Sequence, residues 1–450
     1  MTTLPSDILS VLSPFAPVFK QKRVFQKAII LFIGTLLCTT GVTVCGALRA
    51  FGLNNLTNFS RFHRLLNRDH WNMLKGSRIL LDLIIKAFAA TELIFAFDDT
   101  IERRRGKKIK LKGFFKDPLG TGSQKTVTCS GLRWMPVMLL VKVPFMKRTV
   151  ALPFLVVLSP SEATSKKIGK RHKSPQRQAE QVCQLLRRWY PNRPLRVVAD
   201  AGYATQGLMR ICKKLKIQFV TRARSNTRFF ELAPPRTGKK GRPRTKGERL
   251  PSLKELRNSN EVQWSEVVVL GYGGRSTVYL TVSLDCLWAP AAGGSPIPVR
   301  ITLVKDPQGM EDDPVFCLIS SDSQLQEKDV VEGYTMRWSQ EVTHRETREY
   351  LGMETQRQWS DLAIERSTPL LFAAYSLVFL ITHQLNLSIS PMQAAWYQKQ
   401  ELSFGDLLLS IKKLVREHQL SQLCLSNPIL KNISCYKELL NILEGIGIAA

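Results

Sequence analysis

The chain has 450 residues, enough for a sizeable core and about two to four domains, and its 65 Lys+Arg against 36 Asp+Glu give a net charge of +29. A surplus of this size points to a polyanionic partner, nucleic acid first and an anionic membrane second, because each neutralised phosphate releases condensed counterions. The nine cysteines are scattered with no CxxC pair, which excludes a zinc ribbon or a disulfide framework and fits a reducing cytosol.

No basic start followed by an apolar core and a cleavage site opens the chain, so no signal peptide is expected. Residues 28–48 are uncharged and reach the length of a membrane span. Their four Thr, three Gly and two Cys suit a buried helix pair better, and no membrane partner is expected. Apolar residues recur at helical spacing from Val24 to Phe88, broken at Gly41, Gly46 and Gly52, which predicts a helical domain over 1–90. Within it, Gly46 to Trp71 holds two helical segments about a Gly-Leu-Asn-Asn turn, followed by Arg61, Arg64 and Arg68 near one face. That pattern fits a helix-turn-helix reader of a DNA groove and an ordinary helical bundle about equally.

The run from Leu93 ends abruptly in Asp98-Asp99-Thr100 and passes into the basic stretch ERRRGKKIKLKG. Paired acids at the end of a buried strand need a metal, a salt bridge or a capping role. Because the two Asp point to opposite sides of a strand, only one can face a given site. Strand-like runs follow at Met135–Val143 and Val150–Leu158, then the basic segment SKKIGKRHKS, a solvated loop or a phosphate contact. Ser174 and Pro175 open an amphipathic helix that carries Ala179, Val182, Leu185, Leu186 and Trp189 on one face. The strand LRVVADAGYA then runs apolar into Asp200, and a helix (206–215) and a strand (217–221) complete the segment.

Further on stands YTMRWSQEVTHRETR, 334–348. Read as a helix, it sets Tyr334, Arg337, Glu341 and Arg348 within an arc of about 60°. Alone, such a face is usually a solvated stripe of charge pairs. His344, one turn beyond Glu341, reads as a helix-surface residue. Between Asp200 and Glu341 lie a Pro/Gly/basic linker, 234–249, and β-branched runs at Val262–Leu270, Ser276–Leu284, Val299–Lys305 and Val315–Ile319. In the linker, Gly241-Arg242-Pro243-Arg244 is similar to an AT-hook core, which lays Arg side chains in a narrow minor groove; a basic spacer reads equally well. Trp264 and Trp288 are candidates for stacking on an unpaired base, although Trp in a strand is more often core.

Three strands, helix, strand, helix, strand, with an acid closing the first and fourth strands and a later helical Glu, resembles the RNase H-like catalytic domain of DDE transposases. Tyr334, Arg337, Glu341 and Arg348 resemble the YREK signature of a bacterial insertion-sequence branch, with Arg in place of its Lys. FDDT is similar to the Asp-x-Thr that carries the first acid, which implies Asp98 with Asp99 as runner-up; DAGY implies Asp200.

The resemblance implies an α/β fold: an RNase H-like mixed sheet flanked by helices, with a β-rich insertion domain and an N-terminal helical domain. The expected division is 1–90 DNA-binding, 91–225 first part of the catalytic core, 226–325 insertion with its linker, 326–390 second part of the core, and 391–450 a C-terminal helical region. It further implies that Asp98, Asp200 and Glu341 are catalytic and hold two Mg²⁺ or Mn²⁺ ions, since oxygen-only anionic ligands suit those ions. Tyr334, Arg337 and Arg348 would contact DNA phosphates, with Arg242 and Arg244 in the linker also on DNA. The implied activity is cut-and-paste transposition on double-stranded DNA, both transposon ends and target, by a homodimer in the bacterial cytoplasm. An RNase H-fold nuclease without strand transfer and a non-catalytic DNA-binding derivative are the alternatives.

Overall fold

Period-two burial organises the centre of the molecule. In the computed structural model, which describes residues 4–39, 41–117, 126–235, 244–253, 255, 263–271, 273–289, 294–306, 315–387 and 389–426, β1 (Leu93–Phe97) buries Phe95 and Phe97 in one apolar cluster and Ala96 in another. β6 (Leu195–Ala199) does the same with Val197 and Ala199 against Val198. A strand whose successive side chains enter two different cores is central and covered on both faces, and the long apolar runs of this chain reflect that.

Around this pair stand β2 (Thr100–Arg103), β3 (Gly113–Lys116), β4 (Thr128–Val143), β5 (Arg148–Leu158) and β7 (Gln218–Arg222). β4 pairs antiparallel with β1, β2, β3 and β5, whereas β6 lies parallel to β1 on its other side and β7 parallel to β6. The fold is therefore mixed α/β, and the first and fourth strands read from the sequence lie side by side. β2 and β3 are additional strands that the sequence reading did not assign: both pair with β4, one at the start and one just past the end of the basic stretch. Glu102 and Arg104 are buried there because they satisfy each other at 2.7 Å.

The β-branched runs after 262 form β9 (Ser265–Leu270), β10 (Ser276–Trp288), β11 (Ile297–Lys305) and β12 (Val315–Ser320), and β8 (Phe229–Phe230) edges β10. β12 pairs antiparallel with β7 from Leu318↔Arg222 to Ser320↔Val220, so these strands continue the same sheet. Twelve strands among the described residues share it, in the order β2-β4-β1-β6-β7-β12-β11-β10-β8, with β3 and β5 on β4 and β9 on β10. Trp288 is 8% exposed within the core cluster, so it offers no stacking face, and Trp264 packs half-buried against the same cluster.

Helices α1 (Ser6–Leu12), α2 (Lys22–Leu37), α3 (Val44–Ala50), α4 (Ser60–Asn67) and α5 (Met73–Ala87) precede the sheet. The uncharged run at 28–48 thus divides between α2 and α3. Gly34 makes their crossing possible, since a Cβ there would stand 2.2 Å from the Ala47 carbonyl oxygen. Gly34→Val is expected to force the pair apart and destabilise the protein by about 2–3 kcal/mol, read as a lower denaturation midpoint; an unchanged midpoint contradicts the crossing. α4 is held to the body by Arg366, which donates to the Leu65 and Leu66 carbonyls at 3.1 Å each and lies over the Trp71 ring.

The sheet is flanked by α6 (Glu162–Lys167), α7 (Pro175–Trp189), α8 (Gln206–Lys214), α9 (Glu327–Met336), α10 (Ser339–Leu351), α11 (Asp361–Gln384) and α12 (Phe404–Ser426). Ser174 caps α7 by accepting from Arg177 N, as its position before Pro175 predicts. α11 is the one helix among the described residues long and apolar enough to cross a membrane, and 78% of its most apolar window is buried inside the fold.

Candidate active site

Register builds the first half of the site. Phe97 pairs with Ala199 in the parallel β1–β6 ladder, so Asp98 and Asp200 are the next residues on two adjacent strands. Continuing the alternation, both follow the face of Ala96 and Val198, the face on which α9 and its Met336 pack. Asp99 turns the other way, where the Tyr203 hydroxyl donates to its Oδ1 and Arg133 stands 4.0 Å away. Asp98 thus continues the sheet face shared with Asp200, while the charge of Asp200 acts on both neighbouring acids.

Each carboxylate is held by local backbone. Asp98 Oδ1 accepts from Asp99 N at 2.8 Å, and Asp200 Oδ1 accepts from Gly202 N at 3.0 Å. A Cβ at Gly202 would meet Asp200 Oδ1 at 3.0 Å, which accounts for a glycine two residues after this acid. The Asp200 carbonyl is fixed by Thr221 on β7 at 2.8 Å.

The Glu341 segment differs from the single helix read from the sequence. Tyr334 lies in the last turn of α9 and Glu341 in the first turn of α10. Between them the hydrogen bonds tighten to three-residue spacing, with Arg337 N on Tyr334 O and Trp338 N on Thr335 O, both 3.2 Å. Ser339 Oγ takes the Met336 carbonyl at 2.8 Å, a side-chain bond that competes with helix continuation. Arg337, at this junction, sets an Nη 3.9 Å from Glu341 Oε1 and its guanidinium 5.4 Å from the Tyr334 ring centre.

The electrostatics follow from burial. Desolvation pushes the Asp98 carboxyl up to about 7; Arg337 opposes this and Asp200 adds to it. Burial also raises Asp99 against the Tyr203 hydrogen bond, and raises Glu341 against Arg337. His344 is 6% exposed with Nε2 3.7 Å from Asp98 Oδ2, which corrects its reading as a surface residue. Burial, with Arg348 adding to it, lowers its ring to about 3, so it is neutral.

Arg348 is committed to the fold. It donates to Thr100 Oγ1, to the Ile101 carbonyl at 3.2 Å and to Glu354 at 3.5 Å, tying α10 to the start of β2. Tyr334 is half-buried against Phe316, ring centres 5.9 Å apart. Arg244 is exposed, and Arg242 lies outside the described residues. Trp338, beside Arg337, is 52% exposed.

Among the described residues no three His, Cys, Asp or Glu side chains are arranged to hold a metal ion: Asp98 and Asp200 converge, while Glu341 is turned to Arg337. The chemistry of the donors nevertheless fits a divalent cation. Two half-buried carboxylates at adjacent strand ends repel one another, and a hard cation with oxygen ligands relieves that repulsion.

The candidate site is thus a pair of acids at the ends of two central parallel strands of a mixed α/β sheet. The DDE superfamily endonuclease family matches residues 14–277, more than half of the chain and including both Asp98 and Asp200, and the chain belongs to that family. No curated protein matches the chain. Among solved structures, the piggyBac transposase synaptic complex with hairpin DNA is similar over 98% of this chain and 81% of its own, with 12% identity and a TM-score of 0.38.

Proposed function

We propose that the protein is a metal-dependent DNA transposase. It binds the terminal inverted repeats of its element as a homodimer, cleaves phosphodiesters there, and joins the freed 3′-hydroxyl ends to target DNA. The observation that carries this reading is the register-paired approach of Asp98 and Asp200 beside the helix that bears Glu341, in a chain of the DDE superfamily.

Asp98, Asp200 and Glu341 would hold the Mg²⁺ or Mn²⁺. Two such ions, when bound, activate an incoming oxygen and stabilise the leaving one in an in-line displacement at phosphorus. The chain's own residues do the rest. Arg337, whose Nη stands 3.9 Å from Glu341 Oε1, would turn its guanidinium from Glu341 to a phosphate oxygen. Tyr334 supports it from beneath, and Arg348 holds the Thr100 end of β2 against α10, with its exposed edge toward DNA.

Two exposed basic segments are joined to each other: Thr164 donates to the Lys112 carbonyl at 3.1 Å, with Arg105, Lys107, Lys108 and Lys110 just before Lys112 in the chain and Lys166, Lys167, Lys170 and Arg171 just after Thr164. Phosphate contacts of this kind position a duplex without reading sequence. The linker with Arg242 and Arg244 would add minor-groove contacts.

The test is a joining assay: purified protein, Mg²⁺, labelled DNA carrying the sequences that flank the coding region, and a plasmid target. Joined product is expected. Cutting without joining would instead identify a nuclease, and binding without cutting a non-catalytic derivative.

A further inference from the structure

One part of the site has a cost that the carboxylates do not explain. Gln340 and His344 are one turn apart on α10 and 0% and 6% exposed. Neither the Gln340 amide oxygen and nitrogen nor the two His344 ring nitrogens has a hydrogen-bond partner among the described residues. Buried polar groups are nearly always paired, because an unpaired one loses its hydration for nothing. Two such side chains side by side, with Phe372 edge-on to the His344 ring at 5.9 Å, occupy a place where a leucine would pack without that loss. The carboxylate that meets His344 is Asp98, whose Oδ2 stands 3.7 Å from His344 Nε2. Its Oδ1 is already fixed by Asp99 N, so Oδ2 is the oxygen left to be oriented.

We infer that His344 is a positioning residue for Asp98: a ring carrying its proton on Nε2 closes on Oδ2 and fixes the plane of the carboxylate, with the unpartnered Gln340 amide on the same helix face selecting that tautomer through Nδ1. Groups that orient a metal-binding side chain act in this way, and removing one weakens metal binding by about 10–100-fold. The inference rests on the proposed role of Asp98 as a metal ligand. It adds that stability is given up at 340 and 344 to preorganise that ligand.

The experiment is Mn²⁺ titration of the full-length protein, read by the electron paramagnetic resonance of free Mn²⁺, together with the metal-free melting temperature. It compares the wild type with Asp98→Asn, His344→Leu and His344→Gln. Asp98→Asn is expected to weaken Mn²⁺ binding at least about tenfold. His344→Leu is expected to weaken it about 10–100-fold while the melting temperature holds or rises, and His344→Gln, which keeps a donor at similar reach, to recover most of the affinity. Wild-type affinity in His344→Leu, alongside weakened Asp98→Asn, overturns the inference and leaves the metal site standing. A fall in melting temperature with His344→Leu that His344→Gln restores without restoring Mn²⁺ affinity also overturns it, since that is a packing role. Unchanged binding in Asp98→Asn would overturn the metal-site reading itself.

Discussion

Asp98→Asn is expected to abolish DNA cleavage, by about three orders of magnitude or more, equivalent to about 4 kcal/mol of barrier, and at the same time to stabilise the metal-free protein at pH 8. Asn keeps the size of the side chain and its contact with Asp99 N but cannot carry the charge that a divalent ion needs. The stability effect has a definite sign. The folded carboxyl is raised from 3.8 to about 7, first by burial and then by Asp200, against Arg337. Unfolding lets it ionise freely, so its penalty is absent below about pH 4, grows as pH rises through the interval, and is complete above about pH 7. Melting curves of wild type and Asp98→Asn should therefore coincide at pH 4 and separate toward pH 8, with the variant the more stable. Curves that stay parallel across that range, or a variant that still cleaves, contradict the assignment.

Glu102→Ala is expected to lose about 3–5 kcal/mol of stability, a large share of what a folded domain has in total. Glu102 is fully buried, and its carboxylate accepts from Arg104 at 2.7 Å, Trp134 Nε1 at 2.7 Å and Thr368 Oγ1 at 2.7 Å. Removing it strands a guanidinium that is 5% exposed and is otherwise bonded, among the described residues, to the Gln358 carbonyl. Because β2 begins at Thr100, two residues past Asp98, and Arg348 anchors to Thr100, loosening β2 should also depress cleavage at 37 °C and leave it nearer normal at lower temperature. Arg105→Ala, on the exposed side of the same stretch, should change stability by less than about 0.5 kcal/mol. Denaturant titration reads both, and a Glu102→Ala midpoint like that of Arg105→Ala would contradict the buried network.

What the sequence could carry here was the position of charge against an apolar background. Asp98 and Asp200 stood out because each interrupts a run of buried residues, and the parallel β1–β6 pairing turns two such interruptions into neighbours. Glu341 was legible only through its spacing from Tyr334, Arg337 and Arg348. The burial of Glu102 and Arg104 was not legible, because the Glu102 partners Trp134 and Thr368 are 32 and 266 residues distant. His344 was misread as a helix-surface residue, since Phe372 and Asp98, which pack on it, come from other elements. The β-branched runs after 262 showed as strands, but their attachment to the sheet rests on β7–β12 pairs about 100 residues apart, which no local pattern encodes. The break between α9 and α10 lies in backbone bonds of three-residue spacing at 334–341, joined by the Ser339 hydroxyl on the Met336 carbonyl, which the charge pattern does not mark.

The central claim, that Asp98, Asp200 and Glu341 together hold divalent metal, is most directly tested by letting the ion report its own position. Fe²⁺ loaded in place of Mg²⁺, with ascorbate and peroxide, generates hydroxyl radical that cuts the polypeptide beside the metal, and mass spectrometry locates the cuts. Cuts confined to the neighbourhoods of residues 98, 200 and 341, and suppressed by excess Mg²⁺, are the predicted result. Cuts elsewhere in the chain, or cuts at these places that Mg²⁺ does not suppress, would contradict it.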